Sequence, residues 1–99
     1  MSESKEMVCL KALEELLQKH FDKEEYSLNG SKESAVCMSR NGKKWDIYEK
    51  EKNSFNDLVT YNTVIEACMD MIKRMFLSQS ECDMAMEQFL DRVIVSKIA

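Results

Sequence analysis

Residues 35–48 of the chain read AVCMSRNGKKWDIY, in which two runs of alternating apolar and polar residues flank Asn41-Gly42. Asn-Gly is a strong short signal for a β-hairpin, because a tight hairpin turn needs residues that tolerate positive φ. With Asn41 and Gly42 as the two turn residues, the predicted cross-strand pairs are Met38 with Trp45 and Val36 with Ile47. All four apolar side chains then share one face of a sheet, and we expect that face to be buried.

Helical patterns lie on both sides of this hairpin. Apolar residues recur at three- and four-residue spacing from Met7 to Phe21, and either Ser2 or Ser4 is suited to cap that helix. Near the other end of the chain, two Ser/Thr residues are followed three positions later by an acid, as in a capping box. These pairs are Thr63 with Glu66 and Ser80 with Asp83.

Shorter apolar segments at residues 26–28 and 53–56 predict further strands, with Phe55 as the apolar anchor of the later one. The predicted fold is therefore α+β, with an N-terminal helix, an antiparallel three- to four-stranded meander and two C-terminal helices packed on the sheet. No linker divides the 99 residues. We expect a single domain spanning residues 1–99.

Composition restricts the classes of function. The chain has 14 basic and 18 acidic residues and a net charge of −4, which argues against direct binding of nucleic acid. No apolar run approaches the ~20 residues of a membrane span, and the first residues are too polar for a signal peptide. We therefore expect a cytoplasmic protein that does not enter a membrane.

The sequence contains few of the residue patterns that carry catalysis or bind metals. The only histidine, His20, falls at the end of the first predicted helix, where it suits the helix dipole. Four widely spaced cysteines lie in apolar contexts, without the close Cys or His pairs typical of zinc sites. We predict buried, reduced thiols, no metal, no cofactor and no enzymatic activity.

A series of short strings between Tyr26 and Met75 resembles a known family. They are YSLNG at 26–30, AVC at 35–37, KWDIY at 44–48, EKN at 51–53 and EAC at 66–68. These strings are similar to those of the immunity protein 59 family of bacterial polymorphic toxin systems. The resemblance implies a small α+β protein that is made beside a secreted toxin and neutralises it by binding. Proteins of that family carry Arg-Gly where this chain has Lys52-Asn53, and Asn tolerates the left-handed conformation that glycine supplies.

Two surfaces are candidates for binding such a toxin. From residue 57 to residue 91 there are seven acidic and two basic residues. Three of these acids, Asp83, Glu87 and Asp91, recur every four residues, so they form a row along the last helix that would attract a basic toxin domain. The alternative is that this row is simply a solvated helix face.

The second candidate surface is the polar face of the sheet. There Tyr48, with Asp46 and Glu49 close by, would provide an aromatic anchor surrounded by charge. The alternative is that this face is wet or covered by the first helix.

A different class of function also fits the sequence. Five methionines cluster in the two C-terminal helices, and a methionine-rich surface can bind partners, although it more often fills a core. The chain could then be a small cytoplasmic scaffold or regulatory module that self-associates without any toxin partner. Either function is compatible with a monomer or a weak homodimer.

Overall fold

The computed structural model describes residues 4–98, with side chains described as far as Val95. Its elements are α1 (Lys5–His20), β1 (Tyr26–Ser27), β2 (Ala35–Asn41), β3 (Lys44–Glu51), β4 (Ser54–Tyr61), α2 (Val64–Met75) and α3 (Gln79–Ile98). The four strands form one sheet in the order β1-β2-β3-β4. This confirms the predicted α+β fold with one N-terminal and two C-terminal helices. Within the described part of the chain, no helix has the length and apolar character needed to cross a membrane.

Three strands form the predicted antiparallel meander, but the first strand differs from it. β1 pairs with β2 in parallel, with Tyr26 beside Val36 and Ser27 beside Cys37. The chain therefore crosses back through residues 28–34 before β2 begins, and Asn29-Gly30 is not a hairpin turn. Gly30 has a φ of 102° in this crossover, and its N–H donates to the carbonyl oxygen of Met38.

The predicted register of the hairpin is wrong by two residues. Asn41 pairs with Lys44, so Gly42 and Lys43 are the turn residues, and only Gly42 has positive φ. The actual pairs are Met38 with Ile47, Arg40 with Trp45 and Val36 with Glu49. A shift of two residues leaves every side chain on its original face, because strands alternate with a period of two. The prediction that Val36, Met38, Trp45 and Ile47 share the helix-facing side is therefore confirmed.

Two residues other than glycine, Lys52 and Asp57, adopt the left-handed conformation in or next to β4. Lys52, with φ 47°, provides it in the turn between β3 and β4, so this role falls to Lys52 and not to the expected Asn53. Asp57, with φ 52°, lies where the register between β3 and β4 shifts. This bulge interrupts the alternation of β4, which continues to Tyr61 and is longer than the predicted segment 53–56.

Side-chain caps begin each helix. Ser4 Oγ accepts from Met7 N at 3.1 Å, and Thr63 Oγ1 accepts from Glu66 N at 3.2 Å, as predicted for α1 and α2. The cap of α3 is Ser78, whose Oγ accepts from Glu81 N at 3.3 Å, and not the predicted Ser80. Ser78 and Glu81 also have the spacing of a capping box, so the sequence pattern allows the helix to be capped by either Ser78 or Ser80.

The core lies between the helices and one face of the sheet. α2 packs directly on β2, β3 and β4, while α1 and α3 pack on α2 and on each other. Trp45 is 5% exposed in this core, which confirms that it faces the helices. All four cysteines are buried, as their apolar contexts predict. The largest fully buried side chains include Phe89, Leu13, Leu17, Met38, Ile47, Met71 and Ile72.

Candidate interaction surfaces

The predicted acidic row lies on the exposed side of α3. Asp83, Glu87 and Asp91 are all exposed, and none forms an ion pair with a side chain described in residues 4–95. Gln79 Nε2 donates to Asp83 Oδ1 at 2.8 Å, which orients that carboxylate without neutralising it. The helix thus presents three carboxylates to solvent, each about one turn from the next.

An apolar side chain lies at the C-terminal end of this acidic row. Ile94 follows Glu87 by seven residues and Asp91 by three, so it projects from the same face of the helix. Its side chain is 53% exposed. An exposed apolar residue beside charged residues is common in interfaces, which combine apolar contacts with a polar rim. We call Asp83, Glu87, Asp91 and Ile94 the α3 face.

Two other acids of the C-terminal half, Asp70 and Glu66, are more strongly engaged. Asp70 Oδ1 lies 3.2 Å from Arg74 Nε, and Asp70 Oδ2 accepts from the hydroxyl of Tyr61 at 2.8 Å. Glu66 accepts a hydrogen bond from the Thr63 hydroxyl at the start of α2. The unpaired negative charge of this region is therefore concentrated on α3.

The predicted sheet surface lacks its aromatic anchor. Tyr48 is only 3% exposed and forms a small second cluster with Ala35 and Cys37 on the side of the sheet away from the helices. Its hydroxyl lies 2.7 Å from Ser31 Oγ and 2.6 Å from Ser39 Oγ. The crossover between β1 and β2 supplies Ser31, so Tyr48 stabilises this crossover against the sheet instead of standing exposed.

The two acids expected beside Tyr48 lie on opposite faces of β3. Asp46 is on the side away from the helices, where its Oδ1 accepts from Thr60 Oγ1 at 2.6 Å. Glu49 is on the helix side, where its Oε2 lies 3.8 Å from Arg74 Nη1. The structure therefore does not bring Asp46, Tyr48 and Glu49 together on one surface.

A surface that the sequence analysis missed lies along β4. Phe55, Leu58 and Val59 are 54%, 47% and 40% exposed, respectively. The predicted strand ends at Asn56, before the bulge at Asp57, and leaves out residues 57–61 of β4. The run LVTY at 58–61, which is rich in β-branched and aromatic residues, was the signal that could have revealed the rest of the strand.

One groove formed by the described residues lies between α1 and α3. The groove between α1 and α3, of about 440 Å³, is lined by Asp91 and by the ion pair of Glu15 with Arg92, whose oxygen and nitrogen lie 2.6 Å apart. Burial raises the pKa of the Cys37 and Cys68 thiols, which keeps them protonated and poorly nucleophilic. Among the described residues, no three His, Cys, Asp or Glu side chains are grouped to hold a metal ion.

His20 ends α1 and packs by its ring against other aromatic residues. Its centroid lies 5.3 Å from that of Phe76 and 6.5 Å from that of Phe21. This environment agrees with a helix-end residue.

In comparisons with known proteins, no family model, no curated protein and no solved structure matches the chain.

Proposed function

We propose that this protein is an immunity protein, which neutralises a cognate bacterial toxin by forming a stoichiometric complex with it. The observation that carries the proposal is the α3 face, where three carboxylates without an ion-pair partner among residues 4–95 lie in a row that ends at the exposed Ile94. The resemblance of the strings between Tyr26 and Met75 to the immunity protein 59 family supports the same function.

The charge of the α3 face favours a basic partner. Like charges spaced by four residues destabilise a helix by a few tenths of a kcal/mol per pair, so this row has a local cost. A basic toxin domain would relieve the repulsion on binding and would be steered to this face by long-range attraction. The burial of Ile94 would then add the apolar contact that slows dissociation.

The α3 face is favoured over the sheet surface as the binding site. Tyr48 is buried, Asp46 is engaged with Thr60, and Glu49 turns toward Arg74. An interface needs an exposed anchor with charges on the same surface. Of the two predicted surfaces, the α3 face is the one that combines these features.

Co-expression tests this function. The chain is produced in a bacterium together with the product of the neighbouring toxin gene, and growth is compared with cells that make the toxin alone. We expect growth to be restored and the tagged chain to purify with the toxin at one-to-one stoichiometry. Continued growth arrest in cells that contain folded, abundant chain would refute the proposal.

A further inference from the structure

The outer side of α3 carries apolar and acidic residues at the spacing of a coiled-coil seam. Met84, Glu87, Asp91 and Ile94 follow one another at intervals of three, four and three residues. Residues at these intervals occupy the a and d positions of a heptad repeat, which line up along one side of a helix and contact a second helix. We call Met84, Glu87, Asp91 and Ile94 the α3 seam, and its last three residues belong to the α3 face.

The α3 seam faces away from the rest of the protein. The side of α3 that packs on the core is formed by four buried residues, which are Cys82, Ala85, Phe89 and Val93. With about 3.6 residues per turn, the seam lies on the opposite side of the helix. Met84 and Ile94 are 62% and 53% exposed, and Glu87 and Asp91 are exposed as well. The described part of the chain therefore leaves two apolar side chains and two carboxylates open to a partner.

We propose that the α3 seam binds a helix of the toxin that has Lys or Arg at its centre and an apolar residue at each end. The inference rests on the proposed function and specifies the chemistry of the partner. The bases of this helix would face Glu87 and Asp91, and its apolar residues would cover Met84 and Ile94. The seam from Met84 to Ile94 is about 15 Å long, so it contacts about three turns of the bound helix.

The two central carboxylates decide which helix binds. Neither Glu87 nor Asp91 forms an ion pair with a side chain described in residues 4–95. A helix that covered them with apolar residues would remove two unpaired charges from water, which is strongly unfavourable. A helix with Lys or Arg at the facing positions instead forms two charge-assisted pairs. Charge complementarity therefore favours a partner helix with a basic centre.

The same charges argue against a second copy of the chain as the partner. Antiparallel pairing of two α3 helices that brings Met84 against Ile94 also brings Glu87 against Asp91 of the other copy. Parallel pairing in register places each acid opposite itself. In both arrangements four carboxylates would meet at the centre of the contact, where like charges are strongly disfavoured. The seam thus combines attraction for a basic helix with rejection of its own kind.

Site-specific photo-crosslinking in the complete complex tests this contact. Met84, or in a second variant Ile94, is replaced by the photoreactive p-benzoylphenylalanine, and the chain is produced together with the toxin of the neighbouring gene. We expect both positions to crosslink to one segment of the toxin, at sites about ten residues apart and with Lys or Arg between them. Phe55, which is 54% exposed on β4, is the control position and should crosslink at least tenfold less. Mass spectrometry of the crosslinked peptides identifies the sites.

A charge-reversal variant tests whether the acids of the seam are needed. Glu87→Lys together with Asp91→Lys should reduce crosslinking from position 84 at least tenfold at equal protein concentration. Glu24→Lys together with Glu51→Lys, at exposed acids outside α3, changes the net charge equally and should reduce crosslinking much less. Circular dichroism checks that both variants are folded.

The outcomes separate this inference from the proposed function. A toxin complex in which positions 84 and 94 crosslink to separate segments, or to a segment without Lys or Arg, overturns the helix pairing and leaves the immunity function standing. So does crosslinking that survives reversal of Glu87 and Asp91. Failure of the chain to restore growth and to form any complex refutes the proposed function, and the inference falls with it.

Discussion

The guanidinium of Arg74 on α2 donates a hydrogen bond to the main-chain carbonyl oxygen of Asp57 at the bulge of β4. The same side chain lies 3.2 Å from Asp70, which in turn accepts from the Tyr61 hydroxyl at the end of the strand. Arg74 is mostly buried, with 13% of its side chain exposed. Arg74 therefore links α2 to the edge strand directly through the Asp57 carbonyl and indirectly through Asp70 and Tyr61.

Replacing Arg74 with Met should destabilise the protein. The substitution keeps the apolar stem but removes the guanidinium that pairs with Asp70 and donates to the Asp57 carbonyl. Loss of such charge-assisted bonds in a mostly buried place should cost about 2–3 kcal/mol. Urea denaturation measures this change in the free energy of unfolding. Lys73→Met, at the exposed neighbouring position, is the control and should stay within about 0.5 kcal/mol of wild type.

Trp45 is the second residue on which the stability of the sheet depends. Its ring is 5% exposed, and the Arg40 guanidinium carbon lies 5.0 Å from the ring centroid. Trp45→Ala should cost roughly 3–5 kcal/mol, since it leaves a cavity between the sheet and α2. A loss below about 1 kcal/mol in urea denaturation would contradict the burial of this ring.

The hairpin explains why the faces of the sheet could be predicted more securely than its register. The alternation of apolar and polar residues determines which side chains share a face. A shift of the strand register by an even number of residues does not change that face. The exact pairing depends on which two residues form the turn. Only Gly42 has positive φ in the turn, and both Asn41-Gly42 and Gly42-Lys43 would place this glycine in the turn. Sequence alone does not separate these two turns.

The two candidate surfaces also differ in how well the sequence predicts them. Asp83, Glu87 and Asp91 were placed correctly on the exposed side of α3, because helical spacing and charge are local properties. The burial of Tyr48 depends on Ser31, which is seventeen residues away and is brought there by the crossover. No local pattern encodes such a contact. The full length of β4 was missed because the bulge at Asp57 breaks its alternation.

Tyr48→Phe tests whether Tyr48 is structural. The hydroxyl bonds to Ser31 and Ser39 would be lost while the ring remains, so the free energy of unfolding should fall by about 1 kcal/mol. Protection against the toxin should be unchanged. If protection fails while stability falls no further, then Tyr48 contacts the toxin, and the sheet surface becomes the binding site.

Stability should decrease in alkaline solution. Burial raises the pKa of the Cys37 and Cys68 thiols, and the neighbouring Cys9 adds to the effect at Cys68. The folded state then retains protons that the unfolded state releases above about pH 8.5, so the free energy of unfolding falls as pH rises. Urea denaturation of reduced protein at about pH 7.5 and about pH 9.5 measures the difference. Cys68→Ala should reduce this dependence on pH, and an unchanged dependence would contradict the assignment.

The acidic row of α3 should control how fast the toxin binds. Reversing Asp83, Glu87 and Asp91 to Lys should leave the fold intact, since exposed charge changes are usually worth within about 0.5 kcal/mol each. The association rate constant should fall, and the dissociation rate constant should change less. Stopped-flow or surface-binding kinetics measure both. For the wild type, association should slow as added salt shortens the Debye length below about 10 Å.

A second triple variant separates the position of the charges from their number. Reversing Glu14, Glu24 and Glu51, which are exposed acids outside α3, changes the net charge by the same amount. If α3 meets the toxin, this control should slow association much less than the α3 variant does, because steering depends on where the charge lies. Equal slowing by both variants would mean that only net charge matters. Ile94→Ala completes the test, since loss of an apolar contact should speed dissociation and leave association nearly unchanged.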